Sequence, residues 1–154
     1  MQENSVCKIQ GVQILHLNQI VDERGAVLHM MRSDAPHFQE IGEIYFSEII
    51  SGVIKAWKKH KLMTQNLAVP VGRIRLVIFD DRDGSPSKGI AEEIILGRPD
   101  QYSLVRIPPL LWYGFQGISN TPSLIANCPD LPHDPEEVIR LDSSDNRIPY
   151  EWPK

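Results

Sequence analysis

The chain has 154 residues, 42% of them hydrophobic and 23% charged, and its 16 Lys+Arg against 20 Asp+Glu leave a net charge of −4. That length favours one domain, large enough to hold a buried core. The balance excludes collagen-like, coiled-coil and disordered chains, and an acidic surplus is the wrong sign for a general nucleic-acid binder.

Twelve prolines and ten glycines break the chain at short intervals, with runs rich in β-branched residues between them. Strands are predicted over 11–17, 26–31, 43–50, 52–57, 66–71, 73–79, 90–96, 103–107 and 122–127. In 73–79, Ile74, Leu76 and Ile78 alternate with Arg73, Arg75 and Val77, which assigns the two sets to opposite faces of a sheet. One helical turn is predicted over 35–41, after Ser33 and Asp34 as N-caps. Asp83-Gly84 and Ser85-Pro86 mark a loop, and Pro108-Pro109 stops a helix from following the strand at 103–107. From about residue 129 the tail is polar and proline-rich, and is expected to wrap a barrel. Short strands at this spacing predict an all-β sandwich or barrel in a single domain over 1–154, with at most one or two short helices.

Cys7 and Cys128 are too few for a disulfide framework and lack C-x-x-C spacing. They read as reduced thiols, with one disulfide as the lesser alternative. The opening MQENSVCKIQGVQ has no basic-then-apolar leader pattern, and no apolar run nears the ~20 residues of a membrane-spanning helix. A cytoplasmic protein is expected, with no membrane or nucleic-acid partner.

Four segments occur in a telling order: Asp22-Glu23-Arg24-Gly25, then Gly52-Val53-Ile54-Lys55-Ala56-Trp57, then Gly72-Arg73-Ile74 with Asp80-Asp81-Arg82, then Ile107-Pro108-Pro109-Leu110-Leu111-Trp112-Tyr113-Gly114-Phe115. Together they resemble the dTDP-4-dehydrorhamnose 3,5-epimerase family over about residues 8–152. The resemblance implies a cupin-type jelly roll, a homodimer, and a metal-free pocket for a nucleotide-linked 4-keto-6-deoxy sugar, with no cofactor. It also marks departures. The family's catalytic histidine falls on Lys58, with His60 two residues on. A family arginine falls on Lys55, a lysine on Gln65, the acid tyrosine near Asn127, and a pocket histidine on Tyr113. Glu43 and Tyr45 fall where the family has Gln and Asn, and Asp142 lies near the aspartate that orients the base.

Lys58, Lys59, His60 and Lys61 read either as a solvated basic rim or, with Lys58 and His60 on one strand face, as part of a site. His60 then serves as base, because an imidazole titrates near ~6.5. Lys58 holds an enolate oxygen, or acts as base if burial and nearby cations lower its pKa. Tyr113 is the acid. Arg24 matches a family arginine on the diphosphate, and a guanidinium fork suits phosphate oxygens. Lys58-x-His60 has no carboxylate between His60 and Asp80, so a cupin metal set is not expected. Three readings compete: an epimerase or isomerase on a nucleotide-linked keto sugar, a sugar-nucleotide-binding module without catalysis, and a small cupin for an unrelated ligand.

Overall fold

The computed structural model describes residues 6–154. Its strands are β1 (Gln13–His16), β2 (Gln19–Asp22), β3 (Gly25–Leu28), β4 (Tyr45–Ile49), β5 (Ile54–His60), β6 (Gln65–Val71), β7 (Arg73–Phe79), β8 (Ala91–Gly97), β9 (Ser103–Ile107), β10 (Trp112–Gly117), β11 (Ser123–Asn127) and β12 (Val138–Arg140). They form two five-stranded sheets, β1-β9-β6-β11-β4 and β12-β5-β10-β7-β8, with β2 and β3 as a separate hairpin. All strand pairs are antiparallel. This is a cupin-type jelly roll, and its one helical element among the described residues is a 3-10 turn at Pro135–Glu137.

Alternation at period two decides what each face does. On β7, Ile74, Leu76 and Ile78 point into the barrel, where they join Leu67, Val69, Val105, Ile107, Phe115 and Ile125. Val77 and Phe79 point the other way, yet they too are buried. The tail explains why: Ile148, Tyr150 and Trp152 cover Trp57, Val77, Phe79 and Trp112 on the outside of the sheet. Trp57 meets Tyr150 edge-on with ring centroids 6.1 Å apart, and Trp152 at 5.1 Å. Ile148 is buried this way, and Tyr150 and Trp152 in part. Full burial of such a side chain contributes roughly 1.5–3 kcal/mol, so the tail belongs to the domain's packing. Gly72, at φ +80°, turns the chain sharply between β6 and β7. A Cβ there would lie 2.7 Å from the Cβ of Ser123.

Several expectations need correction. The segment 35–41 is a bend and turn over 35–37 followed by irregular chain, not a helix. Pro36 biases Ala35 away from helical dihedrals, and Ala35 N–H bonds back to the carbonyl of Arg32. The strand expected to end at Trp57 runs on to His60, because β10 pairs with it on one side over residues 58–59 and β12 on the other over 58–60, with Lys59 over the Trp112 ring. Three strands escaped the pattern: β2, with exposed apolar residues; β10, which carries Gly114 and Gly117; and β12, only three residues long.

Candidate active site

The site is set by a bulge between β5 and β10. Tyr113 pairs with Lys58 and Phe115 with Lys55, so Ala56 and Trp57 together stand opposite Gly114. Two residues against one reset the alternation. Lys55, Lys58 and His60 therefore all face the side of the sheet that carries Tyr113 and Phe115. Gly114 makes the approach possible, since a Cβ there would lie 2.4 Å from the Cβ of Ala56.

On the other edge of β5, Val138 pairs with His60 and Arg140 with Lys58. The 3-10 turn before β12 is capped by Asp134, which accepts from Glu136 N–H, and carries Pro135 at its start. It delivers Glu137 into the barrel. Glu137 and His60 are 6% and 7% exposed. Glu137 Oε1 lies 2.6 Å from His60 Nδ1, and Oε2 accepts from Leu62 N–H at 3.0 Å and Met63 N–H at 2.9 Å. Burial pushes the Glu137 carboxyl up, but these three bonds outweigh it and hold the group below its ordinary value. An ionised carboxylate only accepts, so the network assigns the proton to Nδ1. The Nε2 lone pair then accepts from the Tyr113 hydroxyl at 3.2 Å. Burial, with help from Lys58 and Arg140, holds the His60 pKa below 6.5 against the pull of Glu137. Burial also pushes the Tyr113 phenol well up.

Lys58 stands in front of this chain. Among the described residues it has no hydrogen-bond or ion-pair partner, and burial, Arg140 and Lys55 lower its pKa. Lys58, Lys55, Arg140, Ser47 and Phe115 line a cleft of about 330 Å³, at the small end of ligand sites. The Lys55 ammonium donates to the Glu48 carbonyl at 2.6 Å.

A second polar chain crosses the facing sheet. Asn127 and Tyr45 are direct cross-strand partners. The Asn127 amide donates to the Tyr45 oxygen at 2.7 Å and also contacts Gln65 Oε1. Gln65 is buried, and its own amide nitrogen has no partner among the described residues. Glu43 lies close enough to Tyr45 to raise its pKa, behind burial as the main cause, while the Asn127 bond lowers it.

The structure thus brings together His60, Lys58, Tyr113 and Lys55 on one side, and Tyr45, Asn127 and Gln65 on the other. Arg24 is elsewhere: it sits at the tip of the β2–β3 hairpin, largely exposed, paired with Asp22 at 2.7 Å. Asp142 does not reach His60; it is exposed and bonds Ser144. Glu137 takes the orienting place instead. Sequence reading missed Glu137 and Arg140, although a capped Asp134-Pro135 start before the β-branched pair Val138-Ile139 marks the element that carries them. Asp80 pairs with Arg82 at 2.9 Å under Ser85 and Ser87, and Asp81 binds Lys59 and Trp112 outside the barrel. Cys7 and Cys128 are both unpaired thiols. Among the described residues no helix is long and apolar enough to cross a membrane.

No family model matches the chain. Known proteins do. A dTDP sugar isomerase from Desulfovibrio desulfuricans G20 is 50% identical, with a TM-score of 0.92 over 94% of this chain and 92% of that one. The probable low-salt glycan biosynthesis epimerase Agl13 of Haloferax volcanii is 35% identical over 145 residues, 93% of this chain and 89% of that protein. The spore coat polysaccharide biosynthesis protein SpsL of Bacillus subtilis is 27% identical over 94% and 96%. The novobiocin-cluster epimerase NovW of Streptomyces spheroides, at 20% identity, shares the fold with a TM-score of 0.87 over 99% of this chain and 79% of that one. Fold and relatives together define a jelly-roll protein of the sugar epimerase and isomerase class. Within that class the chain belongs to the dTDP-4-dehydrorhamnose 3,5-epimerase family.

The His60 environment has a measurable signature. With its folded pKa below 6.5, the unfolded chain takes up the proton first, so stability present above about pH 6.5 is lost as pH falls toward the folded value. Glu137 acts the same way, but only below its ordinary 4.5. Urea midpoints are expected to drop between pH 7 and 5.5, and to drop less in His60→Gln. Equal drops in the two proteins would contradict the assignment.

Proposed function

We propose that this chain epimerises or isomerises a nucleotide-linked 4-keto-6-deoxy sugar by taking a proton from the carbon beside the ketone. The observation that carries this reading is the Glu137–His60–Tyr113 chain, set behind a lysine with no counter-charge at a cleft. Removing such a proton needs a base that is neutral at working pH and a group to hold the enolate oxygen. His60, with its Nδ1 proton fixed on Glu137, is the base. The Lys58 ammonium holds the oxygen, and Arg140 adds a second positive charge at the same place. To take the sugar's proton, Nε2 gives up its bond from the Tyr113 O–H. The Tyr113 oxygen then accepts from the new Nε2–H, and as it receives that proton it passes its own on to solvent, as the acid. That the similar Desulfovibrio protein is a dTDP sugar isomerase and the Haloferax protein a probable epimerase supports both the reaction class and a sugar-nucleotide substrate.

Incubation in deuterated water with dTDP-4-keto-6-deoxyglucose, followed by NMR, is expected to put deuterium beside the ketone. The signal should vanish in His60→Ala and weaken in Tyr113→Phe. A keto sugar that binds without exchanging would instead make the chain a binding module.

The same reading makes the protein a homodimer. The β2–β3 hairpin leaves Ile20, Val21 and Val27 exposed, which suits an arm lying on a partner protomer. Arg24 at its tip then meets the diphosphate of a nucleotide held by Lys55 in the partner's cleft. Charge-assisted bonds contribute about 1.5–3 kcal/mol, so Arg24→Ala should weaken dTDP binding roughly tenfold or more. Unchanged affinity, or sedimentation as a monomer at micromolar concentration, would remove this arrangement.

A further inference from the structure

Inversion at a carbon beside a ketone takes a proton from one face of the flat enolate and returns one to the other. His60 and Tyr113 cannot do both. They stand on β5 and β10 of the same sheet, their rings stacked with centroids 5.9 Å apart, and they share one hydrogen bond. A second donor has to come from the facing sheet.

That sheet offers one built for the purpose. Tyr45 is on β4, the sheet's edge strand, and its oxygen accepts from the Asn127 amide at 2.7 Å. Asn127 is 2% exposed and is held in turn by Gln65. This bond fills an acceptor position of the phenol and leaves its own O–H with no acceptor among the described residues. Burial is the main cause that raises the Tyr113 pKa, and Tyr45, across from it on the edge strand of the facing sheet, lies near enough to add to that rise. A phenol titrates near ~10 and so carries its proton at neutral pH. Tyr45 is 38% exposed, and partial burial raises its pKa further. An N–H already aimed at its oxygen stabilises the phenolate that forms once the proton leaves.

We propose that Tyr45 is the catalytic acid that delivers a proton to the second face of the enolate, with Asn127 as its positioning residue. As the Tyr45 O–H bond breaks, a C–H bond forms from the electron pair of the enolate C=C, and the carbonyl re-forms. The Tyr45 oxygen rests on the Asn127 amide until solvent returns a proton, while His60 gives its own proton to solvent. The protein ends as it began, with no net redox change. This assignment rests on the keto-sugar reading above and adds the residue that decides between exchange and inversion.

The test reads deuterium incorporation and configuration in one NMR experiment, with dTDP-4-keto-6-deoxyglucose in deuterated water. The wild type is expected to incorporate deuterium and invert. Tyr45→Phe should keep the exchange while inversion falls by about a hundredfold or more, the usual loss for an acid. Asn127→Ser, which keeps the phenol but weakens its anchor, should lower inversion without lowering exchange; dTDP binding by both variants checks that they are folded. A Tyr45→Phe protein with an unchanged ratio of inversion to exchange overturns the proposal. So does a wild type that exchanges but never inverts, since one face then suffices and the keto-sugar reading still stands. A wild type that binds the sugar without any exchange overturns that reading and this assignment together.

Discussion

One hydrogen bond organises this molecule: His60 Nδ1–H to Glu137 Oε1, at 2.6 Å, between residues 77 positions apart. A buried carboxylate is costly unless its lone pairs are filled. Glu137 fills them with the imidazole and two backbone N–H groups from the loop between β5 and β6. The bond fixes the imidazole tautomer, and it also pins the tail to the barrel. Once Glu137 is in place, β12 follows directly and sets Arg140 opposite Lys58. The outer tail, through Ile148, Tyr150 and Trp152, then closes over Trp57. The geometry around His60 and the docking of the tail are therefore one construction.

The electrostatics follow from that placement. The chain is acidic overall, yet its cleft gathers Lys55, Lys58 and Arg140 and engages its carboxylate behind them. Burial first, and then the neighbouring cations, hold down the pKa of both Lys58 and His60. An anionic ligand entering the cleft relieves the part of that shift that the cations cause. The bulge at Ala56-Trp57 is what makes this possible. Strict alternation would place Lys55 and Lys58 on opposite faces.

Much of this was legible in the residues. Alternation in Arg73–Phe79 gave the core face of β7 correctly, and the four family segments gave the jelly roll. The approach of Lys58, His60 and Tyr113 followed from period two on β5 together with that resemblance. Other features were hidden for physical reasons. Glu137 lies in a proline-rich stretch and acts across 77 residues, beyond any local pattern. The β2–β3 hairpin exposes apolar residues that a strand search expects to be buried. At 35–41 good N-caps were overruled by Pro36, which is better suited to a turn. Tyr45 and Asn127 each depart from the family pattern. Only the strand register shows that they are partners.

The site depends on the state of one imidazole. Long-range proton–nitrogen NMR of the protein labelled with nitrogen-15 histidine reads that state directly at pH 7. The structure predicts a neutral His60 with its proton on Nδ1, a strongly downfield Nδ1–H signal, and loss of that signal in Glu137→Gln. A His60 that is protonated on both nitrogens, or carries its proton on Nε2, would contradict the account.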